Sequence, residues 1–458
     1  MNFGHIKSIH FIGIGGIGMS GIAEILSNYD LRLSGCDMNA STITARLEGR
    51  GIRVDIGHDP SHVENVDLVV ISSAIRATNT EVQRAKELGR PVIRRAEMLG
   101  EITRLKRGIA IAGTHGKTTT SAMVAMVLAE GGLDPTLIVG GVLRDLATSA
   151  RLGDSEFLVV EADEYDRSFL TLHPTIAVVT NIEADHLDMY RDIDDILRAF
   201  EDFTRRVPFF GTVVGCVDDA RVVRLLEGIS RRIVRYGLSE AASLRAVGIV
   251  HEGTSSRFSV ELDGSALGEV VLRVPGDHNV RNALAAIGVA LELDVPFGVI
   301  AEGLAKFHGV ERRFQILGTF GRALVIDDYA HHPTEVRSTL EAARASYPHR
   351  RIVALFQPHL FSRTRDFFDE FADALSDADV ALVAPIYPSR EEPIEGITSA
   401  LISEAAERRG SSNVRLLDRD RAGQVAFIRD LLSGDDVFLT LGAGDVNRVG
   451  QELVGGSA

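Results

Sequence analysis

Two glycine-rich turns, each lying between an apolar strand pattern and a helix pattern, constrain this 458-residue chain more than any other feature. The first is Gly13-Ile14-Gly15-Gly16-Ile17-Gly18, preceded by SIHFI and followed by SGIAEIL. It matches G-x-G-x-x-G in the setting that gives the motif meaning. Glycine lets the backbone approach a pyrophosphate, while the helix N-terminus offers amide donors and the positive end of its dipole. Asp37 ends the next predicted strand 19 residues after Gly18, where an acidic side chain can bind a ribose hydroxyl. The second turn is Gly113-Thr114-His115-Gly116-Lys117-Thr118-Thr119-Thr120, after IAIA. A full P-loop has glycine five positions before Gly116; Ile111 stands there, so this is a shortened G-x-x-G-K-T loop. Its physics survives: amides cradle phosphates, Lys117 reaches the terminal phosphates, and the Thr118 hydroxyl can bind Mg2+. Two phosphate-binding turns argue against a nicotinamide dehydrogenase, which has no use for the second.

The strand, turn, helix pattern recurs along the chain. LRLSGCD, DLVVISSAI, EFLVVEAD, TIAVVTNI, ALVIDDY, RIVALFQP, DVALVAPIY and DVFLTLGAG read as strands of parallel sheets with helices on both faces. The expected architecture is α/β in three domains. Residues 1–106 form a Rossmann-like domain, 107–313 a central P-loop-type domain with a β-rich portion over about 211–273, and 314–458 a second Rossmann-like domain. Hydrophobic residues at 45% and charged residues at 25% exclude a disordered chain. A net charge of −15 argues against a broad cationic surface for nucleic acid or anionic lipid, so phosphate binding must be local. Cys36 and Cys216 are too few for a disulfide framework or a zinc cluster, and they suit a reducing, cytoplasmic setting. No run of ~20 apolar residues predicts a membrane span.

Three further constellations lie at predicted strand ends. Glu161-Ala162-Asp163-Glu164 follows EFLVV, a place from which carboxylates hold a nucleotide's magnesium; for Asp163 and Glu164 a solvated acidic loop is the plainer reading. NIEADHLDMY carries Glu183, Asp185, His186 and Asp188. His186 is a candidate ligand for a second metal, although a lone histidine is more often structural. The last constellation pairs Asp327-Asp328-Tyr329-Ala330-His331-His332-Pro333 with Gln357-Pro358-His359-Leu360-Phe361-Ser362-Arg363-Thr364-Arg365. Tyrosine, histidine and arginine converging there suit recognition of a carboxylate or an amino acid.

Taken in order, HFIGIGGIGMSGIAE, SSAI, RAEML, AGTHGKTTT, EADEYDRSF, TNIEADHLD, GDHNVRNALAA, GVERRFQ, DDYAHHPTEV, FQPH with SRTRD, and LGAGDV resemble the Mur ligase family from end to end. The resemblance accounts for the short P-loop and implies a UDP moiety, not NAD, at the first turn. Gly13, Gly15, Gly16 and Gly18 would cradle its diphosphate, with Asp37, Ser72 and Ser73 near uridine and ribose. Gly113, Thr114, His115, Gly116, Lys117, Thr118 and Thr119 would surround ATP. Thr118 and Glu161 would hold one Mg2+ and His186 a second, with Lys117, Glu161 and His186 carrying the catalysis. Asn279 would face adenine and Arg313 the phosphates. Tyr329, His331, His359 and Arg363 would bind L-alanine and close over ATP.

The implied reaction joins L-alanine to the lactyl carboxylate of UDP-N-acetylmuramate through an acyl phosphate, releasing ADP and phosphate, in peptidoglycan precursor synthesis. The alternative is a recycling ligase that attaches a tripeptide to the same sugar nucleotide. No nucleic acid or membrane insertion is implied, and the chain would be a monomer or homodimer. Several members use a carbamylated lysine as a metal bridge; no lysine lies between Lys117 and Lys306, which favours His186 and carboxylates at the second metal. Leu360 stands where some relatives carry a polar or basic residue, leaving its side chain out of the expected site.

Overall fold

The computed structural model describes residues 4–72, 74–143, 148–187, 189–389 and 391–455. Ser73 and Asp188 lie outside them. The first sheet holds β1 (Ser8–Ile12), β2 (Arg32–Asp37), β3 (Arg53–Ile56), β4 (Leu68–Ile71) and β5 (Val92–Arg94). All its pairings are parallel, in the order β3-β2-β1-β4-β5. Apolar residues run along β1 because both its faces are covered. Ile9 and Phe11 pack with Ile22 and Leu26 of the helix Ile17–Leu26, while Ile12 lies in a second cluster with Val63, Val69 and Val82. The direction of winding reverses between β1 and β4, so the crevice at their carboxyl ends is where such a sheet takes a ligand. The first glycine turn and Ser72 leave those two strand ends.

The second sheet has the order β15-β14-β13-β12-β11-β10-β6-β9-β7-β8. Its strands are β6 (Arg107–Ala112), β7 (Thr136–Leu143), β8 (Thr148–Arg151), β9 (Phe157–Ala162), β10 (Ile176–Val179), β11 (Thr212–Cys216), β12 (Arg232–Gly237), β13 (Leu244–Glu252), β14 (Ser255–Leu262) and β15 (Ser265–Leu272). β6 sits between β9 and β10, parallel to both, so the P-loop leaves the middle of the sheet with carboxyl ends on either side. The stretch expected to be β-rich does hold β11 to β15, and it also contains the helix Ala220–Glu227, capped by the Asp219 carboxylate.

The third sheet comprises β16 (Gln315–Phe320), β17 (Ala323–Asp328), β18 (Ile352–Phe356), β19 (Val380–Val383), β20 (Val414–Leu416) and β21 (Val437–Leu441), in the order β16-β17-β21-β18-β19-β20. Only the edge hairpin β16–β17 is antiparallel. The chain packs into two compact units, the first being Met1–Val247 with Ser259–Val270 and Arg281–Phe307, and the second Gly248–Phe258 and Val271–Val280 with His308–Ala458. Within the first unit the two sheets are joined tightly. The Thr171 hydroxyl donates to the Ala96 carbonyl at 2.8 Å, and a Cβ on Gly100 would meet the Thr171 carbonyl oxygen at 2.5 Å. Among the described residues no helix is long and apolar enough to cross a membrane.

Candidate active site

The first glycine turn is held by its neighbours. Gly13 takes φ +82°, its N–H donates to the Cys36 carbonyl at 2.9 Å, and an added Cβ would press on Ser72 Oγ at 3.0 Å. The Gly15 N–H donates to Asp37 Oδ2 at 2.9 Å, so the carboxylate that ends β2 latches the turn from one side. A Cβ on Gly15 would meet that oxygen at 2.8 Å, and one on Gly18 would meet Arg95 Nη1 at 2.7 Å. Gly16 is the exception. It caps the helix with φ −68°, and the nearest atom to its virtual Cβ is 3.6 Å away. Arg95, at the start of the helix Arg95–Leu105, lays its guanidinium against Gly18. Sequence reasoning passed over it inside RAEML, because nothing local marks which arginine of a pair turns toward a loop 77 residues earlier.

The second turn is built more strictly. Gly113 takes φ +135°, and a Cβ there would lie 2.0 Å from Thr180 Oγ1. Gly116 takes φ +83°, with Asn282 Oδ1 at 2.6 Å from its virtual Cβ. Only glycine fits either position. The loop is tied to the end of β10: His115 N–H donates to Asn181 Oδ1 at 2.8 Å, Thr180 Oγ1 donates to the His115 carbonyl at 2.6 Å, and the Glu183 N–H donates to Thr114 Oγ1 at 2.8 Å. The His115 ring faces Glu183 with Nε2 3.5 Å from Oε2. Thr119 and Thr120 are buried in the helix Lys117–Glu130, and Thr120 Oγ1 donates to Asn282 Oδ1 at 3.1 Å.

Lys117 folds back over its own loop. Its ammonium donates to the Gly113 carbonyl at 2.7 Å and to Glu164 Oε2 and Oε1 at 2.8 and 3.0 Å. Burial opposes the charge, but the carboxylates around it, Glu164 foremost, outweigh that and hold the lysine above its ordinary value. Glu164 is 3% exposed, so it belongs to the site and not to a solvated acidic loop; Asp163 is exposed. The turn that follows, Tyr165–Thr171, bends Asp166 and Arg167 to φ +49° and +60°, and the buried Tyr190 hydroxyl donates to the Glu164 carbonyl at 2.6 Å.

Two groups of candidate metal ligands result. The Thr118 hydroxyl donates to Glu161, whose Oε1 is buried without a hydrogen-bond partner. Burial pushes the Glu161 carboxyl up, with the Gly140 N–H and the Thr118 hydroxyl pulling it back. A buried carboxylate oxygen lacking a donor, beside a threonine hydroxyl on a P-loop, fits a hard divalent cation. The second group is Asp163, Glu164 and His186, whose ligand atoms lie within 4.8 Å of one another. His186 is held at φ +54°, its Nε2 3.9 Å from Glu164 Oε1 and its ring edge-on to Tyr165 at 5.1 Å.

Asn279 and Asn282 share one helix. The Asn279 amide donates to the Pro275 carbonyl at 2.7 Å, which fixes the helix start, whereas Asn282, one turn on, meets the P-loop. In the second unit Tyr329, His331 and His359 form a run of rings, with centroids 5.3 Å and 6.1 Å apart, and His359 stacks on Tyr387 at 5.8 Å. Arg363 is buried, its Nη1 3.5 Å from His359 Nδ1. Arg312 and Arg313 both lie over the Tyr329 ring, at 5.0 and 5.2 Å, and Arg313 reaches Glu335 at 3.5 Å. Asp328 accepts from Phe314 N–H and Ala330 N–H, and burial raises its carboxyl to about 6 against the pull of Arg313. Leu360 takes φ +72° at the start of the helix Phe361–Leu375, and its N–H donates to the Tyr387 carbonyl at 3.0 Å. The sequence therefore finds the ring cluster but not Tyr387, which lies 28 residues from His359 on another loop.

Family models match three consecutive segments: "Mur ligase family, catalytic domain" over residues 8–107, "Mur ligase middle domain" over 111–290 and "Mur ligase, glutamate ligase domain" over 312–444. The UDP-N-acetylmuramate–L-alanine ligase of Geotalea uraniireducens is 50% identical over 452 residues, covering 99% of this chain and 98% of that protein. The chain belongs to the Mur ligase family. The enzyme of the same name from Geobacter sulfurreducens is also 50% identical, over 453 residues, with 99% of this chain and 98% of that protein covered. Among solved structures, the UDP-N-acetylmuramate-alanine ligase of Thermotoga maritima superposes with a TM-score of 0.79 at 30% identity, covering 98% of this chain and 99% of that one. A murein peptide ligase of Psychrobacter arcticus gives 0.70 at 26% identity, with 98% of each chain covered. This Mur ligase thus has the family's three-domain α/β architecture, with parallel Rossmann-like sheets at both ends.

Proposed function

We propose that this Mur ligase joins L-alanine to the lactyl carboxylate of UDP-N-acetylmuramate at the expense of ATP, in the cytoplasm, as a step of peptidoglycan precursor synthesis. The observation that carries the reading is the pairing of Lys117 with Glu164 on a shortened P-loop, beside His186 and the Thr118–Glu161 pair, in a chain 50% identical to ligases so named. We place the domain joints at 106/107 and 313/314, where β6 opens and the third sheet follows.

Gly13, Gly15, Gly16 and Gly18 cradle the diphosphate of the sugar nucleotide, with Arg95 beside them as a counter-charge and Ser72 at the β4 end. Asp37 keeps the turn in shape through Gly15 and meets the nucleoside. Ser73 is kept in this set from the motif alone. Gly113 to Thr119 wrap the ATP phosphates. On ATP binding Lys117 exchanges the Glu164 carboxylate for phosphate oxygens and neutralises charge on the transferring phosphoryl group. Thr118 and Glu161 would hold one Mg2+; His186 with Glu164 and Asp163 would hold a second. When bound, such ions offset negative charge between the γ-phosphate and the attacking carboxylate. The lactyl carboxylate attacks the γ-phosphorus, and ADP leaves with the bond electrons. The neutral amine of L-alanine then adds to the acyl phosphate carbonyl, loses a proton, and expels phosphate. Tyr329, His331, His359 and Arg363 orient the amino acid, the guanidinium pairing with its carboxylate. Asn279 and Arg313 are assigned to adenine and phosphate from their motifs alone.

Phosphate release from MgATP, with UDP-N-acetylmuramate and each of the twenty amino acids or the peptidoglycan tripeptide, tests the reading. Release that needs both the sugar nucleotide and L-alanine supports it. Release that prefers the tripeptide assigns the chain to the recycling reaction.

A further inference from the structure

The N-terminal domain contains a second polar centre, on the face of its sheet that carries Ile12 and Cys36 (the Val63–Val82 cluster), and the proposed reaction does not use it. Four side chains from four elements meet there: His10 in the middle of β1, Cys36 near the end of β2, His62 in the turn Pro60–Val63, and Glu81 in the first turn of the helix Thr80–Glu87. Their ligand atoms all lie within 4.8 Å of one another. His10, Cys36 and Glu81 are 0% exposed.

The distances gather on Glu81. Its Oε1 is 2.5 Å from His62 Nδ1 and 3.9 Å from His10 Nε2; its Oε2 is 3.0 Å from Cys36 Sγ and 3.1 Å from His58 Nδ1. A hydrogen-bonded core accounts for most of these contacts and leaves one unexplained. His10 Nε2 is fully buried, points into the cluster, and has no hydrogen-bond partner, while its Nδ1 is engaged with Ser34 Oγ at 2.9 Å. An outer partner of this kind orients a ligating imidazole.

We propose that His10, Cys36, His62 and Glu81 form a binding site for a borderline-soft divalent ion of the zinc type, separate from the magnesium sites at the P-loop. One thiolate, two imidazoles and one carboxylate are a tetrahedral zinc donor set, with bonds of about 2.0–2.3 Å that space the donors about 3.3–3.6 Å apart. The four donor atoms, all within 4.8 Å of one another, would draw in toward that spacing on binding. The charge also closes. Two anionic ligands, the Cys36 thiolate and the Glu81 carboxylate, balance the ion. Binding displaces the Cys36 thiol proton to solvent. Two cysteines exclude a thiolate cluster, but this mixed site needs only one. Because the Cys36 carbonyl accepts from Gly13 and Ile14 N–H at 2.9 and 3.0 Å, the ion would brace the first glycine turn from behind.

The test uses the full chain, stripped with chelator and titrated with Co2+ in excess Mg2+. One Co2+ per chain with a thiolate-to-cobalt charge-transfer band is expected, lost in Cys36→Ser and kept in Cys216→Ser, and displaced by Zn2+, which binds at least about tenfold more tightly. His62→Gln should weaken Zn2+ at least about tenfold. Absence of the band, or its survival in Cys36→Ser, overturns the proposal. Should Cys36→Ser fail to fold, X-ray absorption of the Zn2+-loaded native chain decides: one sulfur at about 2.3 Å supports the site, and a shell of nitrogen and oxygen alone overturns it.

Discussion

The two glycine turns share one grammar and differ in what stands behind them. At residues 13–18 the turn is latched by a carboxylate, since the Gly15 N–H donates to Asp37, and the cation against Gly18, Arg95, comes from a separate helix. At residues 113–118 the cation is part of the turn. Lys117 lies over the loop carbonyls, held by a buried glutamate, with a second carboxylate and a histidine close by. The first arrangement suits a ligand that arrives and leaves unchanged at its phosphates. The second suits a phosphoryl group whose charge shifts during reaction, because fixed cations and buried carboxylates act most strongly where water is excluded.

The division is broken most directly at Lys117. Lys117→Ala should lower kcat about 10³-fold or more while the Kd for UDP-N-acetylmuramate, read by calorimetry, stays within about twofold. Equal loss of both would mean the turns are not separate sites. His186→Ala should lower kcat about 10²-fold and raise the Mg2+ concentration for half-maximal rate; an unchanged Mg2+ profile would remove His186 from the metal site. Stability separates the turns as well. Gly113→Ala forces a side chain to φ +135° with its Cβ 2.0 Å from Thr180 Oγ1, and should cost about 2 kcal/mol or more in urea unfolding. Gly16→Ala meets nothing closer than 3.6 Å at φ −68°, and should stay within about 0.5 kcal/mol.

The smallest effect concerns pH. Glu161 titrates above the ordinary glutamate value of 4.5 in the folded chain, so the native state binds its proton more tightly than the unfolded chain does. Its contribution to stability is therefore full below that value and lost as pH rises through the raised one. The melting temperature of Glu161→Gln relative to the native chain, both metal-free, should be higher at pH 8 than at pH 4. The opposite order would show that the carboxylate is not buried as described.

Much of this was legible in the sequence because it is local. Each turn is contiguous, the parallel strands are uninterrupted apolar runs, and G-K-T and E-A-D-E need no long-range information to recognise. What failed to show depends on how elements meet. Which carboxylate of Glu161-Ala162-Asp163-Glu164 turns inward shows only in the packing, where Glu164 is buried and Asp163 exposed. Asn279 and Asn282 sit one helical turn apart, and only packing shows that the second meets the P-loop. The His10, Cys36, His62 and Glu81 cluster draws on four elements spread across 72 residues, so no spacing rule finds it.

The most direct measurement follows the atoms. UDP-N-acetylmuramate labelled with 18O in its lactyl carboxylate is turned over with MgATP and L-alanine, and the released phosphate is analysed by mass. Activation of the carboxylate by the γ-phosphate, followed by displacement by the amine, carries one carboxylate oxygen into each phosphate released. Unlabelled phosphate, with the displaced carboxylate oxygen found instead in AMP or water, would contradict the account.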